Sequence, residues 1–188
     1  MESWRSNSSG FGTPTTIEAP HKWFGSDSTI ISLGQALGSL AGADDTDWRR
    51  QIFMESSTVH GGSFSAKIMT RKEWTFNIPG VLTNALPSVG FAGLPPTITA
   101  ISLRGGTPIS AKPTTVSAWV QYYPGSGGID SGSLTVQVLG QVAGKDSVIG
   151  TGIVIIPPTS SWMQVTATVN YLPVHANVPV DTFRIALS

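Results

Sequence analysis

Hydrophobic and polar residues alternate along most of the chain after residue 60. Phe64-Ser65-Ala66-Lys67-Ile68 alternates apolar with polar, and residues 97–103 suggest a further strand. A longer run is Thr114 to Tyr123. Val116, Ala118, Val120 and Tyr122 share one face there, and Ser117, Trp119, Gln121 and Tyr123 share the other. Pro124 to Gly132 is rich in turn residues. Beyond it Leu134, Val136 and Val138 alternate with Thr135, Gln137 and Leu139. Thr151 to Ile156 is an apolar, β-branched run closed by Pro157-Pro158. Trp162 to Tyr171 places Met163, Val165, Ala167 and Val169 inward, and Phe183, Ile185 and Leu187 alternate with Thr182, Arg184 and Ala186. Short strands joined by Gly/Pro turns, with no helix between them, predict an all-β, antiparallel sandwich or barrel with one face of each sheet buried. The predicted core is Val116, Ala118, Val120, Val136, Val138, Val165, Val169, Phe183 and Ile185.

Residues 1–60 read as a loop-rich N-terminal part, with residues 61–188 holding the main strands of a single domain over 1–188. Leu33, Leu37 and Leu40 have helical spacing. Gly34 and Gly38 lie among them, each costing about 1 kcal/mol of helix propensity, so the expectation is one short helical turn near 32–40.

Composition narrows the function classes. Only 12% of the residues are charged, the formal net charge is zero and 40% are hydrophobic. That balance excludes wholesale disorder and a coiled coil, and argues against a nucleic-acid partner, which calls for a basic patch. The absence of cysteine excludes disulfides, thiolate nucleophiles and Cys-based zinc sites. The apolar run Ile153 to Ile156 is far too short for membrane insertion.

The sequence contains no HExxH, GxSxG, Walker or GxGxxG pattern. Gly125-Ser126-Gly127-Gly128 lacks a following Lys-Ser/Thr and reads as a hairpin turn. His21, His60 and His175 have no metal-ligand spacing, and Asp44, Asp45 and Asp47 read as a solvated loop. Glycoside hydrolysis needs two carboxylates across a cleft, and none of Glu2, Glu18, Glu55, Glu73, Asp130, Asp146 and Asp181 pairs visibly with another. No catalytic residue is assigned.

The aromatic residues suggest a different chemistry. A sugar ring has an apolar C–H face that an aromatic ring covers and a rim of hydroxyls that amides, hydroxyls and guanidinium groups bond. The outward positions of the β runs supply Trp119, Gln121, Tyr123, Gln137, Gln164 and Arg184, which form one ligand-binding face if their strands are neighbours. The alternative is that the faces are reversed and Trp119 is core. Trp162 reads as packing at a sheet edge, and Trp23, Trp48 and Trp74 are secondary loop candidates.

Several segments carry a resemblance. They are Val59-His60-Gly61-Gly62-Ser63-Phe64-Ser65-Ala66-Lys67-Ile68, Ile78-Pro79-Gly80-Val81-Leu82-Thr83-Asn84, and Gly105 to Pro113 leading into Val116 to Pro124. Ser161 to Val165, Asn170-Tyr171 and Pro179 to Ser188 follow in order. This order resembles the carbohydrate-metabolism domain of secreted and surface proteins of gut-type bacteria, and galactose-binding-like jelly rolls more broadly, over roughly residues 2–188. The resemblance implies a two-sheet jelly roll and a secreted or cell-surface location with any leader removed. It also implies a polysaccharide or oligosaccharide partner and other domains of a larger surface protein. It further implies a structural calcium with Glu2 as a metal ligand. A final Asp-bearing strand of that family does not occur before Ser188, which points to a trimmed C-terminus or a missing edge strand.

Three functions are consistent with these observations. The leading one is a non-catalytic carbohydrate-binding module, distinguished by an open aromatic face. A glycan-active hydrolase domain would show paired carboxyls in a cleft. A structural or adhesion sandwich without ligand would bury Trp119 and lack a binding face.

Overall fold

Residues 3–9, 15–29, 31, 50–73, 76–92, 97–125 and 130–188 are described by the computed structural model. They are mostly β-strand, arranged in several antiparallel sheets. The chain divides into two compact units, Met1–Arg104 and Gly105–Ser188, with no long linker between them.

In the first unit β1 (Trp4–Ser9) and β2 (Thr15–Pro20) pair with Trp4 opposite Pro20 and Ser9 opposite Thr15. These strands lie in the stretch that reads as loop-rich. Arg5-Ser6-Asn7-Ser8-Ser9 contains no apolar residue, so an alternation test has nothing to detect. β3 (Phe24–Gly25), β4 (Ile52–Glu55), β5 (Ser65–Ile68), β6 (Arg71–Glu73), β7 (Phe76–Ile78), β8 (Leu82–Thr83), β9 (Leu86–Ala92) and β10 (Thr97–Arg104) follow. β3 pairs with β8, β4 with β5, β6 with β7 and β9 with β10. A helical turn occupies 27–29; the helix expected near 32–40 lies outside the described residues.

A polar knot joins this unit's segments. Asp27 is 1% exposed and Gln51 is fully buried. Asp27 Oδ1 accepts the Gln51 N–H at 2.8 Å and the Ile52 N–H at 3.2 Å. Ser26 Oγ donates to Gln51 Oε1 at 2.6 Å and accepts the Val81 N–H at 3.0 Å. Burial pushes the Asp27 carboxyl above its ordinary pKa, while the two amide bonds and the Arg50 and Arg71 charges oppose that shift without cancelling it.

The second unit contains β11 (Thr107–Pro108), β12 (Thr115–Tyr122), β13 (Gly132–Val142), β14 (Lys145–Ile156), β15 (Thr159–Thr168), β16 (Asn170–Tyr171) and β17 (Thr182–Leu187). β16, β14, β13 and β17 lie side by side in that order, and β11 pairs with β17. β12 and β15 form a separate antiparallel pair. Val142 and Lys145 close the β13–β14 hairpin around Ala143 and Gly144, with φ of 51° and 74°. Positive φ at both central positions is the type I′ arrangement that matches strand twist. At Gly152 a Cβ would stand 2.6 Å from the Thr168 carbonyl, so β14 can approach the end of β15 only with glycine there.

The inward residues of both sheets form one cluster. Leu134, Val136, Val138, Ile149, Ile156, Val165, Ala167 and Val169 are buried, and Val116, Ala118, Val120, Met163, Ile185 and Leu187 pack against them. Of the predicted core, Val136, Val138, Val165 and Val169 are buried, while Val116, Ala118, Val120, Phe183 and Ile185 are only half-buried. The β12–β15 pair is narrower than the sheet it covers. Val116, Phe183 and Ile185 instead line an apolar groove of about 360 Å³ with Ile109, Ala111 and Pro113.

Ile149 is fully buried in this cluster. Ile149→Ala is expected to cost about 2–5 kcal/mol in chemical denaturation; a variant unfolding like the parent contradicts the core assignment. Asp27 gives a pH signature. Its folded pKa lies above the ordinary 3.8, so the folded state holds the proton more tightly than the unfolded chain. Stability from this group is therefore full at low pH and declines as pH rises through the folded pKa. Asp27→Asn keeps an Oδ1 acceptor and removes that dependence. The melting temperature of the variant relative to the parent is expected to rise with pH above about 4. A difference constant with pH contradicts it.

Candidate functional site

The β12–β15 ladder sorts side chains by parity. Val116 faces Ala167, Ala118 faces Val165 and Val120 faces Met163, all on the core side. The residues between them point outward: Thr115 opposite Thr168, Ser117 opposite Thr166 and Trp119 opposite Gln164. Trp119 is 47% exposed, which settles its alternative in favour of the surface. The Ser117 and Thr166 hydroxyls are 2.8 Å apart and share a hydrogen bond across the strands.

Trp162, expected as packing at a sheet edge, is half-buried and stands where the regular pairing of β12 with β15 ends. It lies two residues before Gln164, the partner of Trp119. Beyond Val120–Met163 the ladder breaks and resumes at Tyr122–Thr159, leaving residues 160–162 against Gln121 alone. Tyr123 follows, 66% exposed, with its hydroxyl donating to the Ser160 carbonyl at 3.4 Å. Asp130 Oδ1 accepts the Gly125 N–H at 3.0 Å. Desolvation, with a hydrogen bond to Asp130, raises the Tyr122 phenol pKa.

The six sequence-predicted residues therefore divide. Trp119, Gln121, Tyr123 and Gln164 lie on the β12–β15 pair. Gln137 and Arg184 oppose each other on β13 and β17. Their strands do not pair with β12, and because the inner faces of the two sheets meet, the outer faces point apart. Arg184 Nε donates to the Gly105 carbonyl at 2.8 Å. The same outer side of β14 exposes Ile153 and Ile155.

Trp23, in the first unit, is half-buried, and its carbonyl accepts Arg5 Nη2 at 2.6 Å. Glu2, Trp48, Trp74, Asp44, Asp45 and Asp47 lie outside the described residues. Among the described residues no three His, Asp or Glu side chains gather into a metal-holding group. Asp146 and Asp181, separate in sequence, meet through Gln141, whose Nε2 donates to Asp146 Oδ1 and, at 3.2 Å, to Asp181 Oδ2. That bridge belongs to the larger sheet and not to the aromatic face.

The outer face of β12–β15 carries Thr115, Ser117, Trp119, Gln121 and Tyr123 with Gln164, Thr166 and Thr168, none of them charged, and Trp162 stands at its end where the ladder breaks. Such a surface can stack on a flat apolar ring and exchange hydrogen bonds with neutral hydroxyls. No family model, curated protein or solved structure matches the chain.

A tryptophan on the outer face contributes little to the core. Trp119→Ala is expected to change unfolding free energy by no more than about 1 kcal/mol. A loss on the scale of a core truncation, about 3–5 kcal/mol, would return Trp119 to the core.

Proposed function

We propose that the chain is a non-catalytic carbohydrate-binding module of a secreted or cell-surface bacterial protein, built as a galactose-binding-like, two-sheet jelly roll. The observation that carries this reading is the exposed Trp119 ring beside Gln164, with Ser117, Thr166 and Tyr123 around it. Aromatic rings take the C–H face of a sugar, and amide and hydroxyl groups, each able to donate and accept, suit its hydroxyls. The order of the strand segments and their turns supports the jelly-roll reading. Polysaccharides or oligosaccharides are the proposed ligands, and other domains of a larger surface protein the proposed neighbours.

A glycan array on the purified chain, followed by titration of the best binder, tests this. Dissociation constants in the micromolar to millimolar range, about −4 to −8 kcal/mol, are expected for a shallow open site. Trp119→Ala should weaken binding about tenfold or more. Gln137→Ala, on the other sheet, should leave it unchanged. Binding that is indifferent to Trp119, or lost with Gln137, would contradict the assignment.

A further inference from the structure

We infer, resting on the carbohydrate reading of this face, that its ligand is an uncharged glycan chain several rings long that runs along the β12–β15 strands. A single sugar and an acidic polysaccharide are both excluded by the inference. Three features support it, concerning length, openness and charge.

The aromatic positions are spread along the strand direction. Tyr123 lies four residues beyond Trp119, about 13 Å at the usual rise per strand residue. Trp162, half-buried, lies on β15 two residues before Gln164, which opposes Trp119. One pyranose ring is too small to cover that row, whereas successive rings of an extended chain can address it together. Once the first ring is stacked, each further contact becomes intramolecular, so affinity rises with chain length.

The face is also open. Ser117, Gln164, Thr166 and Thr168 around Trp119 are exposed, and the apolar groove of this unit lies elsewhere, against β17. An open face leaves both ends of a chain free to continue. It does not wrap a single sugar, which a small-molecule pocket does by burying most of its ligand.

Charge decides the chemical class. No outward residue from Thr115 to Tyr123 or from Trp162 to Thr168 is ionisable except the Tyr123 phenol. A uronate carboxylate or a sulfate stacked here would lose water without gaining a cationic partner; planar anions are recognised by arginine forks instead. The chain's zero net charge provides no overall attraction for an anion either.

The test is calorimetric titration of the full chain with length series of neutral gluco-, manno-, xylo- and galacto-oligosaccharides, their monosaccharides, and oligogalacturonides of matched length. The expected result is a neutral series whose affinity rises about tenfold or more from monosaccharide to tetrasaccharide. Trp119→Ala and Trp162→Ala should each flatten that rise, and Trp162→Phe, which keeps a ring, should restore most of it; melting curves confirm that the variants are folded. A monosaccharide bound as tightly as its tetramer, or tighter binding of the oligogalacturonide, overturns the inference. If that binding still depends on Trp119, the carbohydrate reading survives. No binding by any member of the panel overturns both.

Discussion

The packing of Val165 and Ala167 against Val136 and Val138 determines what the second unit presents to solvent. These residues occupy alternate positions on their strands, and a strand that turns one set of side chains inward turns the other set outward. Trp119, Ser117, Gln164 and Thr166 are on the surface because Val116, Ala118, Val165 and Ala167 are not. A one-residue slip of β12 would bury Trp119 and expose valines, so core and face specify each other.

That constraint acts within each sheet and is silent between sheets. Gln137 and Arg184 are outward on β13 and β17 for the same reason that Trp119 is outward on β12, yet the two groups look in opposite directions. The pattern of Val136 and Ile185 is identical whether β13 pairs with β12 or with β14. Alternation shows which side of a strand is wet, and strand order, which decides whose wet sides join, comes from long-range pairing. The inward residues of the 134–138 and 163–169 runs were therefore legible in the sequence, whereas the side of β12 that Trp119 takes stayed open until the fold was known, and the composition of the combined face was not legible.

Other features were hidden for different reasons. β1 has almost no apolar residue after Trp4, so its pairing with β2 leaves no hydrophobic signature. The Ala143-Gly144 turn lacks the Asn-Gly or Asp-Gly pair that most often marks a two-residue hairpin. Asp27 looks like any loop aspartate in sequence; only the fold puts its carboxyl against the Gln51 and Ile52 amides, whose bonds offset part of the cost of its burial. The bridge from Asp146 through Gln141 to Asp181 likewise depends on β13, β14 and the approach to β17 meeting at one end of the sheet.

The central claim is that a glycan chain rests on the outer face of β12 and β15. The most direct measurement follows the indole N–H signals of the six tryptophans by NMR during titration with the best-binding oligosaccharide. The account predicts that the Trp119 and Trp162 signals shift together and saturably while the Trp4 and Trp23 signals stay in place. Saturable shifts at Trp4 or Trp23, with Trp119 and Trp162 unmoved, would contradict it and move the binding site to the first unit.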